Sequence, residues 1–451
     1  MRIVYLTHQY FPRHTGGTEV YTHGLAKRAL RAGHDARVIT CVESPHLDAA
    51  QHGARHTEYG GVPVTELHFN LSAAPEPARA EYDNPFTGEL VRREFEAARP
   101  DLVHAAHLMK LSASALEVCY RLDIPVVITL TDYWLICPRH TLLRWNNQLC
   151  AGPSHDLDCA RCLRHTHGFA AGRMQDLPAP LLRLGSGMGH LALGDRLPRF
   201  WRDVRAIRRR ADYLRRVVGR ADRVVALSIL LKELFVLNGY PEDKIEVLQH
   251  GPETEWLDAD APPAPRNGEI EVVFIGSLAY HKGPHILLEA LRLRPELELR
   301  LLIYGEARGS DPYLESLKRM AVADRRVRLM GTFPPDEMGR VLGTADVLAA
   351  PALWYENNPL VPQAARRAGV PVMASDLGTL AASVEHGRDG WLVPAGDARA
   401  WAEALAGLTR AGLPPRTPDR NVKSMDDHAR EIFAIYQEIL SDRRCNAPNT
   451  L

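Results

Sequence analysis

ADVLAAPALWYENNPLVPQAARRAGVPVMAS, residues Ala345–Ser375, is the stretch whose reading decides the fold. Ala345 to Ala350 is a short apolar run ended by Pro351, and Pro371 to Ala374 is another. Runs of that length without alternation suit strands buried on both faces of a parallel sheet. The residues between them predict a loop and then a helix, with Pro359 in its first turn, where a missing N–H costs nothing, and Gly369 closing it. The start of that helix therefore falls at the carboxyl edge of a sheet. Open α/β sheets bind ligands along that edge, and helix N-termini offer free backbone N–H groups to phosphate. Glu356, just ahead of the helix, is placed to accept hydrogen bonds from ligand hydroxyls; the plainer alternative is a solvated loop carboxylate.

The same rhythm extends in both directions. Ile3 to Leu6 reads as a strand, Thr18 to Leu30 as a helix ended by Gly33, and Ala36 to Thr40 as the next strand, a βαβ opening. Further strands are expected at Asp101 to Ala105 and Pro125 to Leu130, giving an N-terminal domain over 1–250. A Pro-rich, acidic stretch, 251–268, reads as a linker. Strands and helices then alternate again over 269–415, with strands in IEVVFIGSL, LELRLLIYG and RVRLMG and a helix from about Pro284, so a second parallel sheet is expected. A last helix is predicted over 421–441, with a frayed tail over 442–451.

With 451 residues, 45% of them hydrophobic and 24% charged, the chain is long enough for two full cores and carries no signature of disorder. Lys plus Arg equals Asp plus Glu, at 55 each, so bulk charge gives no reason to expect nucleic acid as a partner. The opening MRIVYLTHQYFP lacks the apolar core and cleavage site of a signal peptide, and no apolar run approaches the roughly 18 residues that span a bilayer. A cytoplasmic protein is expected.

Several residue groups could carry chemistry. Gly16 and Gly17, between the first strand and helix, let a phosphate or sugar approach the backbone, or simply make a turn. They do not form the G-x-G-x-x-G dinucleotide fingerprint, which disfavours an NAD-dependent enzyme. In the second domain Gly276 and Ser277 follow a strand, and His281, Lys282 and Gly283 precede a helix. Lys282 is placed to meet a diphosphate: a leaving group that gains negative charge is stabilised by a cation more in the transition state than in the ground state. At the first domain's carboxyl edge, His104, His107, Thr131 and Asp132 are candidates.

Four of the seven cysteines, Cys137, Cys150, Cys159 and Cys162, fall within one loop, 137–165. A Cys-x-x-Cys pair with two more thiols nearby, in a chain without an export signal, suits tetrahedral structural zinc; free thiols and an iron–sulfur cluster are the alternatives. His140, His155, His165 or His167 could replace one ligand. Four thiolates leave the metal no open position, so its role would be to fold the loop. An Arg-dense helix over 195–223 reads either as a solvated basic face or as a contact with an anionic membrane at the inner face or with a lipid-phosphate acceptor.

Residues 345–375 resemble the signature of retaining GT-B glycosyltransferases of family 4, the glycosyl transferases group 1. That signature is a proline or serine, an acid, a proline-led helix with a second Glu eight residues on, then Ala-Gly-x-Pro-Val. GGTEVYTHGLAKRALRAGHDARVIT, with its paired glycines, Glu19 and Gly33-His34, resembles the family's opening, and Gly276-x-Leu278-x-x-x-Lys282-Gly283 its diphosphate loop. The resemblance implies a GT-B architecture: two Rossmann-like parallel-sheet domains facing across a cleft, a C-terminal crossover helix, nucleotide mainly on the second domain and acceptor on the first. It implies transfer of a sugar from a UDP, GDP, ADP or TDP donor to a sugar, lipid-linked or small-molecule acceptor, with retention and without a catalytic metal. Glu356 would hold sugar hydroxyls, Lys282 the diphosphate with His281 assisting, and the backbone of Asn358, Pro359 and Leu360 phosphate, with Gly16, Gly17, Gly276 and Ser277 lining the donor and His107 and Asp132 serving catalysis. The chain departs from the pattern at Ala364, where the second Glu holds ribose, at Thr131, where a His contacts the donor sugar, at Ser277, where many relatives carry Arg, and around Gly378-Thr379-Leu380. Either its donor is bound through other groups, or it is a sugar- or nucleotide-binding protein that has lost catalysis; an epimerase of the same fold is a third reading.

Overall fold

The alternation of buried strands and helices builds two units in the computed structural model, which describes residues 1–48, 51–153, 158–160, 162–163, 199–257, 269–306 and 312–445. One unit comprises Met1–Leu248 with Ala429–Leu451, the other Gln249–His428. The Pro-rich part of the expected linker, residues 195–198 of the basic segment, His155, His165, His167 and the last six residues lie outside the described residues.

The first unit holds β1 (Arg2–Leu6), β2 (Asp35–Glu43), β3 (Gly53–Tyr59), β4 (Val62–Phe69), β5 (Leu102–Ala105), β6 (Val126–Leu130), β7 (Arg223–Ala226) and β8 (Ile245–Val247). They form one sheet in the order β3-β4-β2-β1-β5-β6-β7-β8, parallel throughout except for the β3–β4 pair. The β3–β4 hairpin, turning at Gly60 and Gly61, is an antiparallel edge that the strand-by-strand reading did not anticipate. The chain leaves β1 for β2 on one side and crosses to β5 on the other, so the reversal of strand order lies between β1 and β5.

The second unit holds β9 (Ile270–Ile275), β10 (Leu299–Tyr304), β11 (Val327–Gly331), β12 (Val347–Ala350), β13 (Val372–Ser375) and β14 (Gly390–Val393), all parallel, in the order β11-β10-β9-β12-β13-β14. Its reversal falls between β9 and β12. Val272, Phe274, Leu301, Ile303 and Met373 pack into a core on one face, while Val273, Leu302, Leu348, Val372 and Ala374 pack on the other. Adjacent residues of one strand serve opposite cores, and for that reason these strands read as unbroken apolar runs.

The last helix, Met425–Cys445, starts in the second unit and ends in the first. It continues past the expected end at residue 441 because Arg443 bonds to Asp222 and to Asp123 over the last turn. Within the first unit Tyr436 on this helix bonds to His104 Nδ1, and His104 Nε2 meets Thr129 Oγ1 at 2.7 Å, which in turn meets Tyr21 Oη at 2.9 Å. His104 is therefore a fully buried structural histidine.

Burial favours the neutral imidazole and lowers the pKa of His104 to about 3 and those of His250 and His285 to about 4. The unfolded chain takes up protons on these groups below about pH 6.5, where the folded chain does not. Their contribution to stability is thus fully present above that pH and is lost as pH falls towards the folded values. The thermal midpoint is expected to drop steadily between pH 7 and pH 5 at constant ionic strength; equal midpoints at those two values would contradict this.

Candidate functional site

In the second unit, the two loops that flank the strand reversal meet. The loop after β9 carries His281 and Lys282, and the loop after β12 carries Trp354 and Glu356. Lys282 Nζ lies 2.7 Å from Glu356 Oε1, and the indole N–H of Trp354 donates to the same oxygen at 2.8 Å. Lys282 also stands over the Trp354 ring, 5.0 Å from its centroid, and His281 meets that ring edge-on at 4.8 Å. The Leu353 N–H donates to the His281 carbonyl at 2.8 Å, tying the loops together through their backbones. Gly283 has φ +73°, and a Cβ there would stand 1.9 Å from the Pro351 carbonyl oxygen, so only glycine lets the loop pass so close to its neighbour. Lys282 and Glu356, 74 residues apart in sequence, are thereby held as one cation–carboxylate pair with an aromatic floor.

The helix after this loop is Leu360–Arg367, and Pro359 stands at its N-cap, one place ahead of the expected first turn. Gly369 follows its end in the left-handed conformation, φ +73°. Asn358 is fixed by donating to the His250 carbonyl at 2.7 Å and accepting from Gln363 at 2.5 Å. Ala364 faces inward, at 2% exposure, in the core with Leu348, Val370 and Val372. On the β9 side, the Gly276 N–H bonds the Tyr304 carbonyl, and Ser277 is exposed.

In the first unit the edge at the β1–β5 reversal gathers a second cluster. His107 follows β5, Asp132 follows β6 and His8 follows β1. His107 Nε2 lies 2.7 Å from Asp132 Oδ2, and His107 Nδ1 accepts the Met109 N–H at 3.1 Å, so the proton on Nε2 is the one given to Asp132. The other oxygen of Asp132 accepts the Trp134 N–H at 2.7 Å. Burial alone would raise the Asp132 pKa, but His107, His140 and the Trp134 N–H outweigh it and hold the carboxyl below its ordinary value. The His8 ring lies 4.0 Å from that of His107, tilted by 37°, and burial above all pushes its pKa well below the ordinary value. The Thr131 hydroxyl donates to the Ala106 carbonyl at 2.8 Å. A recess lined by His107, Thr131, Asp132, Trp134 and Leu135 opens here.

Gly16 caps the helix Gly17–Arg31, and a Cβ on it would meet the Glu19 carboxylate at 2.7 Å, whereas around Gly17 nothing lies within 4 Å of that position. The space beside Gly17 is open to a ligand, and packing within the chain does not explain the glycine. Sequence reasoning missed Trp354 and His8: neither belongs to a charged or paired motif, and their roles arise from loops that meet only after folding.

The helix Arg199–Val218 turns much of its basic character inward. Arg205 pairs with Glu76 at 2.9 Å, Arg210 bonds the Trp134 carbonyl, and Arg215 donates to the Asn238 carbonyl at 3.1 Å; Arg208, Arg209 and Arg216 are exposed. Among the described residues, no helix is long and apolar enough to cross a membrane.

Known proteins share both halves of this arrangement. Residues 15–155 match the family Glycosyltransferase Family 4, and residues 269–410 match Glycosyl transferases group 1. A D-inositol 3-phosphate glycosyltransferase of Corynebacterium urealyticum is 33% identical over 180 residues, 37% of this chain and 42% of that protein. One from Nocardia farcinica is 31% identical over 210 residues, 43% of this chain and 46% of that protein. These matches span less than half the length of either relative. Among solved structures, Anabaena HepE in complex with UDP aligns at TM-score 0.60 and 16% identity, over 99% of this chain and 100% of that one. Sucrose-phosphate synthase of Thermosynechococcus elongatus aligns at TM-score 0.64 and 17% identity, over 98% and 99%. Two parallel-sheet α/β units and the likeness to these structures show the GT-B glycosyltransferase fold, with a match to Glycosyltransferase Family 4 on the first unit and to Glycosyl transferases group 1 on the second.

Proposed function

We propose that the chain transfers a sugar from a nucleotide donor to an acceptor hydroxyl, with retention of anomeric configuration. The observation that carries this reading is the Lys282–Glu356 pair on its Trp354 floor, at the strand reversal of the second sheet and beside the start of the Leu360–Arg367 helix. A strand reversal is where doubly wound sheets take nucleotides. Lys282 would neutralise the diphosphate as the glycosidic bond breaks, the helix N-terminus would receive phosphate oxygens, and Glu356 would accept from sugar hydroxyls. In the first unit, Asp132, held ionised and aimed by His107, would position the acceptor or donor hydroxyls. The activity of the D-inositol 3-phosphate glycosyltransferase relatives makes inositol phosphates the first acceptors to try, and retention is checked by the anomeric coupling in the product's proton NMR spectrum.

Calorimetry and thermal shift against UDP, GDP, ADP and TDP and their common sugars test the donor. One nucleotide is expected to bind selectively and to raise the midpoint, as any ligand of the folded state does. Silence towards all four would favour the second reading, a non-catalytic binding or scaffold protein. That reading draws on Ala364 in the core, Thr131 bonded to Ala106 and Ser277 without a charge.

A further inference from the structure

Among the described residues no three His, Cys, Asp or Glu side chains are placed to hold a metal ion, and the Cys150 thiol donates to the Gly152 carbonyl at 3.0 Å, so the clustered cysteines carry no inference. The recess at the carboxyl edge of the first sheet does, because of what its polar groups can still bond. The Asp132 carboxylate offers about four lone-pair positions. The His107 Nε2–H fills one on Oδ2 and the Trp134 N–H one on Oδ1, both at 2.7 Å, so each oxygen keeps an open acceptor position, and the side chain is 19% exposed. The same two bonds stop the carboxylate from turning. The half-buried Thr131 hydroxyl gives its hydrogen to the Ala106 carbonyl at 2.8 Å and has only acceptor positions left for a ligand.

The remaining lining is apolar or held in place. Ala105, Ala106, Ile128, Leu130 and Leu135 supply apolar wall. Trp134, 2% exposed, is fixed by Arg210, which bonds its carbonyl and lies over its ring at 4.9 Å. Among the described residues that line the recess there is no lysine or arginine. Three fixed acceptor positions without a cation suit a ligand that brings donors and no negative charge. A phosphate brings acceptors and meets an ionised carboxylate, so it is repelled. Adjacent hydroxyls on a six-membered ring bring two donors that the two oxygens of one carboxylate can accept together, and the C–H faces of the ring suit the apolar wall.

We propose that this recess binds the ring of an uncharged cyclic polyol, a sugar or cyclitol, with two adjacent hydroxyls on Asp132 and a third on Thr131, and that any phosphate on that ligand stays outside it. That the ring is the acceptor rests on the transferase reading; the chemistry the recess selects does not.

Saturation-transfer NMR and calorimetry on the full chain, with and without the nucleotide that calorimetry selects, test it. myo-Inositol and glucose are expected to bind with a Kd of about a millimolar, the scale for so small a ligand, and inorganic phosphate and 1,4-cyclohexanediol, which lacks adjacent hydroxyls, are expected not to compete. Asp132→Asn is expected to weaken myo-inositol by about tenfold or more, as loss of a charge-assisted hydrogen bond does, and Thr131→Val by less. Because Asp132→Asn can disturb the turn at Trp134, the wild-type ligand series stands as an independent check. No transfer to either polyol, competition by phosphate, or binding unchanged in both variants overturns the proposal. Glucosamine held more tightly than glucose would mean that the carboxylate reads an ammonium and would overturn it equally. A chain that binds myo-inositol but no nucleotide keeps this proposal and loses the transferase reading, and one that binds a nucleotide but no polyol does the reverse.

Discussion

Lys282→Met is expected to lower kcat by about 10²–10³-fold with little change in thermal midpoint, a loss of about 3–4 kcal/mol of transition-state stabilisation, the usual scale for removing one preorganised charge partner. Methionine keeps most of the unbranched apolar stem while removing the ammonium that stands over Trp354, so the charge is lost with little change of bulk. The ion pair it breaks is partly open to solvent, with Lys282 27% and Glu356 13% exposed, and pairs of that kind contribute at most about 1 kcal/mol to folding. Activity and stability therefore separate. If Lys282 meets the diphosphate only as charge develops on it, kcat falls and KM for the donor moves less; equal loss in both would mean ground-state binding. Glu356→Gln, which keeps an acceptor for the Trp354 N–H but removes the countercharge, tests the other half of the pair. Single-turnover rates with the donor chosen by calorimetry are the measurement, and a Lys282→Met rate within twofold of wild type would remove Lys282 from the mechanism.

Much of this site was legible before folding. Apolar runs without alternation marked β9, β10, β12 and β13 because both their faces are covered, and proline and glycine positions marked the helix starts and ends. Lys282 and Glu356 each stood out from local pattern. Their pairing was not legible, since it is fixed by strand order: β9 and β12 are neighbours only because the chain crosses the sheet after β11. Trp354, two residues before Glu356, gave no signal beyond being aromatic. The pairing of His107 with Asp132 was hidden for the same topological reason, with β5 and β6 adjacent in the sheet. The β3–β4 hairpin was missed although Gly60-Gly61 marks its turn, because the exposed strand β3 carries mostly polar residues and no apolar run.

Ala364→Glu is expected to destabilise the second unit by about 3 kcal/mol or more, the scale for burying a carboxylate without a partner. By resemblance, position 364 is where a ribose-binding carboxylate would stand, so this substitution is the natural attempt to restore the missing contact. The structure sets Ala364 at 2% exposure in the core formed with Leu348, Val370, Val372 and Leu380, and a glutamate there must either force that core apart or stay protonated. Its pKa in the folded chain would be raised, so the folded state would bind the extra proton and the penalty would grow as pH rises from 5 to 8. Gln363→Glu is the control: its side chain is only half-buried and already bonds Asn358, and its cost is expected to stay within about 1 kcal/mol. Denaturant unfolding of both variants at the two pH values, alongside nucleotide titration, makes the comparison. An Ala364→Glu chain with unchanged stability and tighter nucleotide binding would mean that position 364 opens towards the ribose, and that the family's second carboxylate can simply be put back. The expected result means instead that this chain's core has closed over that position, and that any ribose contact is made by other groups.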